Sequence, residues 1–480
     1  MRQLTRSIIL GLAILAGTQP SRAQIAPAGA TLPQLTRMDL AVKIDYGFER
    51  LAGTATVTVK NASRTSLAHV PFLLNRLMRA EAVRNRRGRS LAFRQRPVVF
   101  EDEQKLQVNA IEVDLPDPLP PEAAVQLSID FGGFLVGYTE VGWLYVKDRI
   151  ARDFTILRED AFAFPIVGVP SEQVNRAAPR EAFEFEASVT VPEDLVVATG
   201  GNEIARSVSG GLATWRYRSR GPAPFLIITI APYRVAEADG LRIFHFADDA
   251  DGARRVLQAA QRASARYAEI FGPLNRPIAL NVMEIPEGWG SQGSLTGGII
   301  QEAGTFRDRA QLAQVYHELS HLWNAADLDA PSPRWNEGLA MFLQDRLARE
   351  LDGWDGEAAA LQRTAARLLE ACGAGQPCGR VPLRQYGAER LTDFSYPVGR
   401  LMFAALYRAL GQAPFDRALR QHYQSHKVSG TRTTDLVGTF VEVGGPAARR
   451  IFEDWLDSTE WVHRLRDTPS PEALFDSYRR

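Results

Sequence analysis

Of the seven histidines in the 480-residue sequence, two fall within Tyr316-His317-Glu318-Leu319-Ser320-His321. Helical positions four apart share a face, so His317 and His321 direct two imidazoles at one point while Glu318 projects beside them. This set suits metal-assisted hydrolysis. A Zn2+ ion takes two such nitrogens, needs a third protein ligand and leaves one position for a water that ionises near pH 7. Glu318 then stands where a general base is required.

Two downstream acids qualify as the third ligand. Glu337 lies in Arg334-Trp335-Asn336-Glu337-Gly338, on a predicted helix that starts with Ser332 as N-cap and Pro333 at the first helical position. A short loop folds that helix back onto the first. Asp327 lies six residues after His321, within reach of a tight turn at Asn324, a residue type that tolerates the left-handed conformation. Residue types alone leave both open.

The elements that must position these groups fall into two regions. From 31 to 236 the sequence alternates apolar and polar residues over short stretches, as in Met38–Ile44, Gly53–Val59, Ile111–Leu115, Val125–Phe131, Phe183–Val191 and Phe225–Ile230. This pattern predicts half-buried antiparallel strands. From 237 to 480 the period lengthens. Ala253–Phe271 reads as an amphipathic helix stopped by Gly272 and Pro273, Ile278–Ile285 as a strand, and Gly288–Gly304 as a glycine-rich segment. Helices are expected over 309–325, 333–351, 357–372, 396–410, 414–427, 434–443 and 446–458. The fold class is α+β, with a β-rich first domain and a mainly helical second.

Composition narrows the function. Lysine plus arginine and aspartate plus glutamate number 56 each, so no overall field draws the chain to nucleic acid. Arg2 and Arg6, an apolar run from Ile8 to about Gly17, and Ser21-Arg22-Ala23 form the pattern of a secretory signal. The run is about half of the ~20 residues a span needs, so cleavage after Ala23 and a periplasmic or secreted protein without stable membrane insertion are expected. Cys372 and Cys378, the two cysteines, flank a Gly/Pro turn and suit a small disulfide loop in an oxidising compartment.

On the residues quoted, the sequence resembles the aminopeptidase N family of gluzincin zinc metallopeptidases. That family follows H-E-x-x-H with a metal-binding Glu on the next helix, in a segment to which Asn336-Glu337-Gly338 is similar. The resemblance implies Glu337 as third ligand. It also implies that Tyr396, in Tyr396-Pro397-Val398-Gly399-Arg400-Leu401, donates its hydroxyl to the oxyanion of the attacked carbonyl. Residues 163–201 look like the close of the family's β-saddle domain, and Phe415 to Trp461 like the end of its thermolysin-like catalytic domain. The large helical C-terminal domain of longer relatives is expected to be missing.

Two features depart from the family. Fifteen residues separate His321 from Glu337, three fewer than usual. The Gly-x-Met-Glu-Asn strand that grips a substrate's α-amine has no counterpart in Gly288–Glu302, although that backbone can pair with an extended peptide, and Glu302 and Glu159 are only weak substitutes. The function expected is a zinc-dependent peptidase acting on peptides, aminopeptidase-like by resemblance. The alternatives are an endopeptidase of altered specificity and a non-catalytic peptide-binding protein of the cell envelope.

Overall fold

The alternating stretches form strands because one face of each finds a core. The computed structural model describes residues 32–178, 182–274, 279–294, 296–373 and 377–479; the expected signal at 1–23 lies outside them. Within Gln34–Asp45, Leu40, Val42 and Ile44 are buried while Ala41, Lys43 and Asp45 are exposed. This strand lies in a seven-stranded sheet, ordered Asn202–Ser209, Leu212–Arg218, Glu184–Pro192, Gln34–Asp45, Arg50–Lys60, Ala124–Phe134 and Met78–Asn85. A four-stranded sheet built around Gln107–Leu119 and Leu67–Asn75 packs with it through one apolar core that includes Val57, Phe72, Ile111 and Ile129.

One pairing departs from the antiparallel expectation. Gln34–Asp45 runs parallel to Glu184–Pro192, with Met38 opposite Phe185 and Val42 opposite Val189. A hairpin forces antiparallel pairing, but these two strands are joined through the second sheet, and that long connection permits the parallel register.

The second region begins with a five-stranded sheet, ordered Arg234–Ala238, Leu241–His245, Leu280–Ile285, Gly298–Glu302 and Gln292–Gly293. Helix Ala250–Phe271 covers it, burying Ala253, Val256, Ala260, Ala263, Tyr267 and Ile270 at helical spacing. The same core takes in Val315, Tyr316 and Leu319 of the H-E-x-x-H helix, so the motif is held from behind by apolar packing. Helices Trp335–Asp352, Glu357–Gly373, Ser395–Leu410 and Gln412–His426 follow close to the expected spans. Thr433–Trp455 covers two expected helices and bends at Gly445 (φ 60°), ahead of Pro446. Two short helices at Glu460–Asp467 and Pro471–Ser477 were not expected from the periodicity.

Two local expectations change. The motif helix is shorter than 309–325: Gln314–Ser320 is α-helical and His321–Trp323 tightens into a 3₁₀ turn. Ser332 does not cap the next helix, since its hydroxyl is drawn to Asp327 and accepts the N–H of Arg334; Arg334, at φ 54°, is the capping position. Cys372 and Cys378 form a disulfide. Among the described residues no helix is long and apolar enough to cross a membrane.

Candidate active site

His317 and His321 project from one side of the motif helix, their ring centroids 5.2 Å apart. Helix Trp335–Asp352 brings Glu337 against them. Its Oε2 lies 3.3 Å from His317 Nε2 and 3.5 Å from His321 Nε2, and the three donor atoms all fall within 4.8 Å of one another. Tetrahedral zinc with bonds of about 2.1 Å sets its ligand atoms about 3.4 Å apart, so the donor set and its spacing fit that ion. Among the described residues one other group has ligand-like spacing, the surface trio His69, Glu112 and Asp114, but Arg94 already pairs with both of its acids.

The outer contacts orient this set. The Asn324 side-chain amide lies 2.9 Å from His321 Nδ1. Ligation through Nε2 needs the proton on Nδ1, which is satisfied when the amide oxygen faces the ring, and the two amide orientations are isosteric. Asn324 therefore sits in extended backbone (φ −81°, ψ 145°), holding a histidine rather than making a left-handed turn. Arg334 donates to Glu337 Oε1, which leaves Oε2 to face the imidazoles. Burial acts to raise the Glu337 pKa, but His321, His317 and Arg334 outweigh it and hold the carboxyl well below its usual range.

Glu318 is 7% exposed. Burial pushes its carboxyl up to about 7, against the pull of His317, with Glu337 adding to the rise and the Gly293 N–H opposing it. Gly293 approaches so closely that a Cβ there would meet the Glu318 carbonyl oxygen at 2.6 Å and its Oε2 at 3.0 Å, so only glycine fits. Gln292–Gly293 is the edge strand of the five-stranded sheet, so a strand edge with no further sheet neighbour lies beside Glu318.

Tyr396 lies parallel to His317, with ring centroids 6.2 Å apart, and its hydroxyl is 3.4 Å from Arg334 Nη2. Burial, with the nearby Glu337 charge, raises its pKa and keeps it a protonated donor. Its helix can come this close because Gly338 and Gly399 meet where helices Trp335–Asp352 and Ser395–Leu410 cross.

Asp327 takes no part in this cluster. Its carboxylate accepts from Ser332 and from the Asp329 N–H, and it tethers the loop between the two helices. Glu302 is engaged as well, accepting the Gly290 N–H at 2.6 Å, while Glu159 opens a short 3₁₀ turn. Arg334 and Gly293 escaped the sequence reading. The i to i+3 spacing of Arg334 and Glu337 was the one signal available for the first.

Comparison with solved structures shows the same fold. An M1 zinc metallopeptidase from Deinococcus radiodurans is 21% identical, with a TM-score of 0.64 over 89% of this chain and 94% of that one. A mutant of an M1 zinc metallopeptidase from the same organism, bound to a Tyr-Ser-Ala substrate, matches at 21% identity and a TM-score of 0.64 over 88% and 94%. A two-domain M1 zinc metallopeptidase mutant bound to L-tryptophan matches at 22% and 0.64 over 89% and 95%. No family model and no curated protein matches the sequence.

Proposed function

We propose that this chain is a zinc-dependent peptidase in which His317, His321 and Glu337 hold the metal, Glu318 is the general base and Tyr396 supplies a hydrogen bond to the oxyanion. The observation that carries this reading is the triangle of donor atoms at tetrahedral spacing with the buried Glu318 carboxyl next to it in the sequence. Zinc bound there would polarise the peptide carbonyl and make a water nucleophilic near neutral pH. Glu318 accepts the proton of the attacking water and later delivers it to the leaving nitrogen. The Tyr396 hydroxyl donates to the carbonyl oxygen as charge gathers on it. Gln292–Gly293 offers backbone groups to an extended substrate, and Arg334 keeps Glu337 from turning.

The domain assignment follows the same reading, with the β-rich region to residue 236 and the catalytic region from 237. Export after removal of residues 1–23 to the periplasm or the exterior fits the Cys372–Cys378 disulfide. Aminopeptidase-like action is the specificity the family resemblance favours. Glu302 accepts the Gly290 N–H through Oε1. Glu318→Gln tests the central claim: zinc content stays at one per chain while hydrolysis of fluorogenic peptides disappears. Turnover persisting in a clean preparation of that variant would remove Glu318 from the mechanism.

A further inference from the structure

We propose that a groove whose lining begins one helical turn before His317 binds a carboxylate carried by the far end of a peptide substrate, with Arg309 as its partner and Trp354 as an apolar platform. This rests on the peptidase reading above. The groove, of about 740 Å³, lies between helix Ala250–Phe271, the turn that precedes the motif helix, and helix Trp335–Asp352. Its floor continues the face that carries the metal ligands. Ala313 lies one turn before His317 on the same side of the helix. Gln344 and Ala348 follow Glu337 by seven and eleven residues, which at 100° per residue returns both to within about 20° of its direction.

Residues before the motif and residues after Glu337 line one groove, so the two helices run in opposite directions and the groove leads away from the metal along both. A rise of 1.5 Å per residue puts Ala313 about 6 Å from His317, and Gln344 and Ala348 about 10 and 16 Å beyond Glu337. An extended peptide advances about 3.3 Å per residue. The groove therefore receives positions roughly two to five residues from the bond that is cut.

The charges in the groove are unequally spoken for. Asp345 is buried against Arg400, and Asp352 is paired with Arg262, so neither acid is left to repel a carboxylate. Arg255 gives one N–H to the Phe306 carbonyl. The Arg309 guanidinium is exposed and has no hydrogen-bond or ion-pair partner among the described residues. The half-buried Trp354 lines the same space. A surplus of positive charge next to an aromatic face selects a carboxylate with an apolar neighbour. That carboxylate is either the C-terminus of the peptide or an acidic side chain.

The experiment measures equilibrium binding of labelled apolar hexapeptides to the zinc-loaded Glu318→Gln full chain. Three forms are compared: a free C-terminal acid, the C-terminal amide, and the amide with a glutamate at the penultimate position. At least one carboxylate form should bind about tenfold tighter than the plain amide, and the form that does so identifies the source. The advantage should shrink as salt is added, disappear in Arg309→Ala and survive in part in Arg309→Lys. Equal binding of all three forms, or an advantage that outlasts Arg309→Ala, overturns the proposal. Hydrolysis of a two-residue fluorogenic amide by the unaltered chain is read separately, because that substrate is too short to reach the groove. Its failure would count against the peptidase reading while leaving the binding comparison intact.

Discussion

Gly338→Ala should separate the metal site from the group that assists it. Gly338 follows Glu337 directly and faces Gly399 at the helix crossing. A Cβ at Gly338 would stand 2.4 Å from the Gly399 Cα, 2.6 Å from its carbonyl carbon and 2.9 Å from the Arg400 nitrogen. Carbon atoms pack at about 3.5 Å, so the crossing must open by roughly 1 Å. The obstructing atoms are backbone and cannot swing aside as a side-chain end can. Tyr396 leaves the displaced helix one turn before Gly399 and moves with it. A misplacement of about 1 Å at a reacting group lowers turnover about 100-fold, and overpacking a helix contact costs about 1–3 kcal/mol. The better helix propensity of alanine returns at most about 1 kcal/mol of that. The expected result is a fall in kcat of about 100-fold with KM changed only a few-fold, because Tyr396 acts on charge that develops after binding. Zinc stays bound, and the melting temperature drops. Gly438 serves as a control, being an exposed helical glycine with nothing within 4 Å of an added Cβ, where alanine should stabilise by about 0.5–1 kcal/mol. A Gly338→Ala chain with unaltered kcat and melting temperature would refute the role given to the crossing.

Arg334→Met should loosen zinc about tenfold in chelator competition; the effect of losing an outer-shell partner is placed at its lower end because the Arg334 side chain is 46% exposed and screened. Unchanged affinity would show that Glu337 needs no orienting partner. Glu337→Ala should release zinc on dialysis and Asp327→Ala should not, and the opposite outcome would hand the third ligand to Asp327. His422 is buried against Trp335 and beside His426, and burial, aided by His426, lowers its pKa from 6.5 to about 4. The unfolded chain thus takes up a proton near pH 6.5 that the folded chain refuses until about pH 4, so this stability is complete above about 6.5 and declines as the pH falls, by roughly 3 kcal/mol in all. Denaturant titrations at pH 7 and 4.5 should show a flatter dependence for His422→Leu; identical slopes in both chains contradict it.

Much of this architecture is legible because each element obeys a single period. The alternation in Gln34–Asp45 and the i, i+3, i+4 burial of Ala250–Phe271 follow directly from apolar spacing. The spacing of His317 and His321 is legible for the same reason, since a helix turns it into geometry. What escaped depends on pairs distant in sequence. The parallel register of Gln34–Asp45 with Glu184–Pro192 comes from a connection whose path no local pattern encodes. Ser332 carries the residue type of an N-cap, yet Asp327 competes for its hydroxyl and wins, so the helix starts later and Arg334 takes a left-handed backbone. That change of start turns Arg334 toward Glu337.

The connection between helices Gln314–Ser320 and Trp335–Asp352 is held along its length. Its two ends contact the cluster of His317, His321 and Glu337, Asn324 through His321 and Arg334 through Glu337, and its middle is fixed elsewhere. Leu328 donates its N–H to the Thr431 carbonyl, Thr431 donates to the Ala326 carbonyl, and Asp329 accepts from the N–H of Thr433. Asp327, the acid that competes for the role of ligand in the sequence, closes the loop onto Ser332 instead. The distance between the imidazoles and Glu337 is then set by apolar packing of the two helices into one core, in which Leu319, Trp323, Trp335 and Leu339 take part. Residues can be removed from the loop without opening the triangle, provided the anchoring to residues 431–433 and the two end contacts persist.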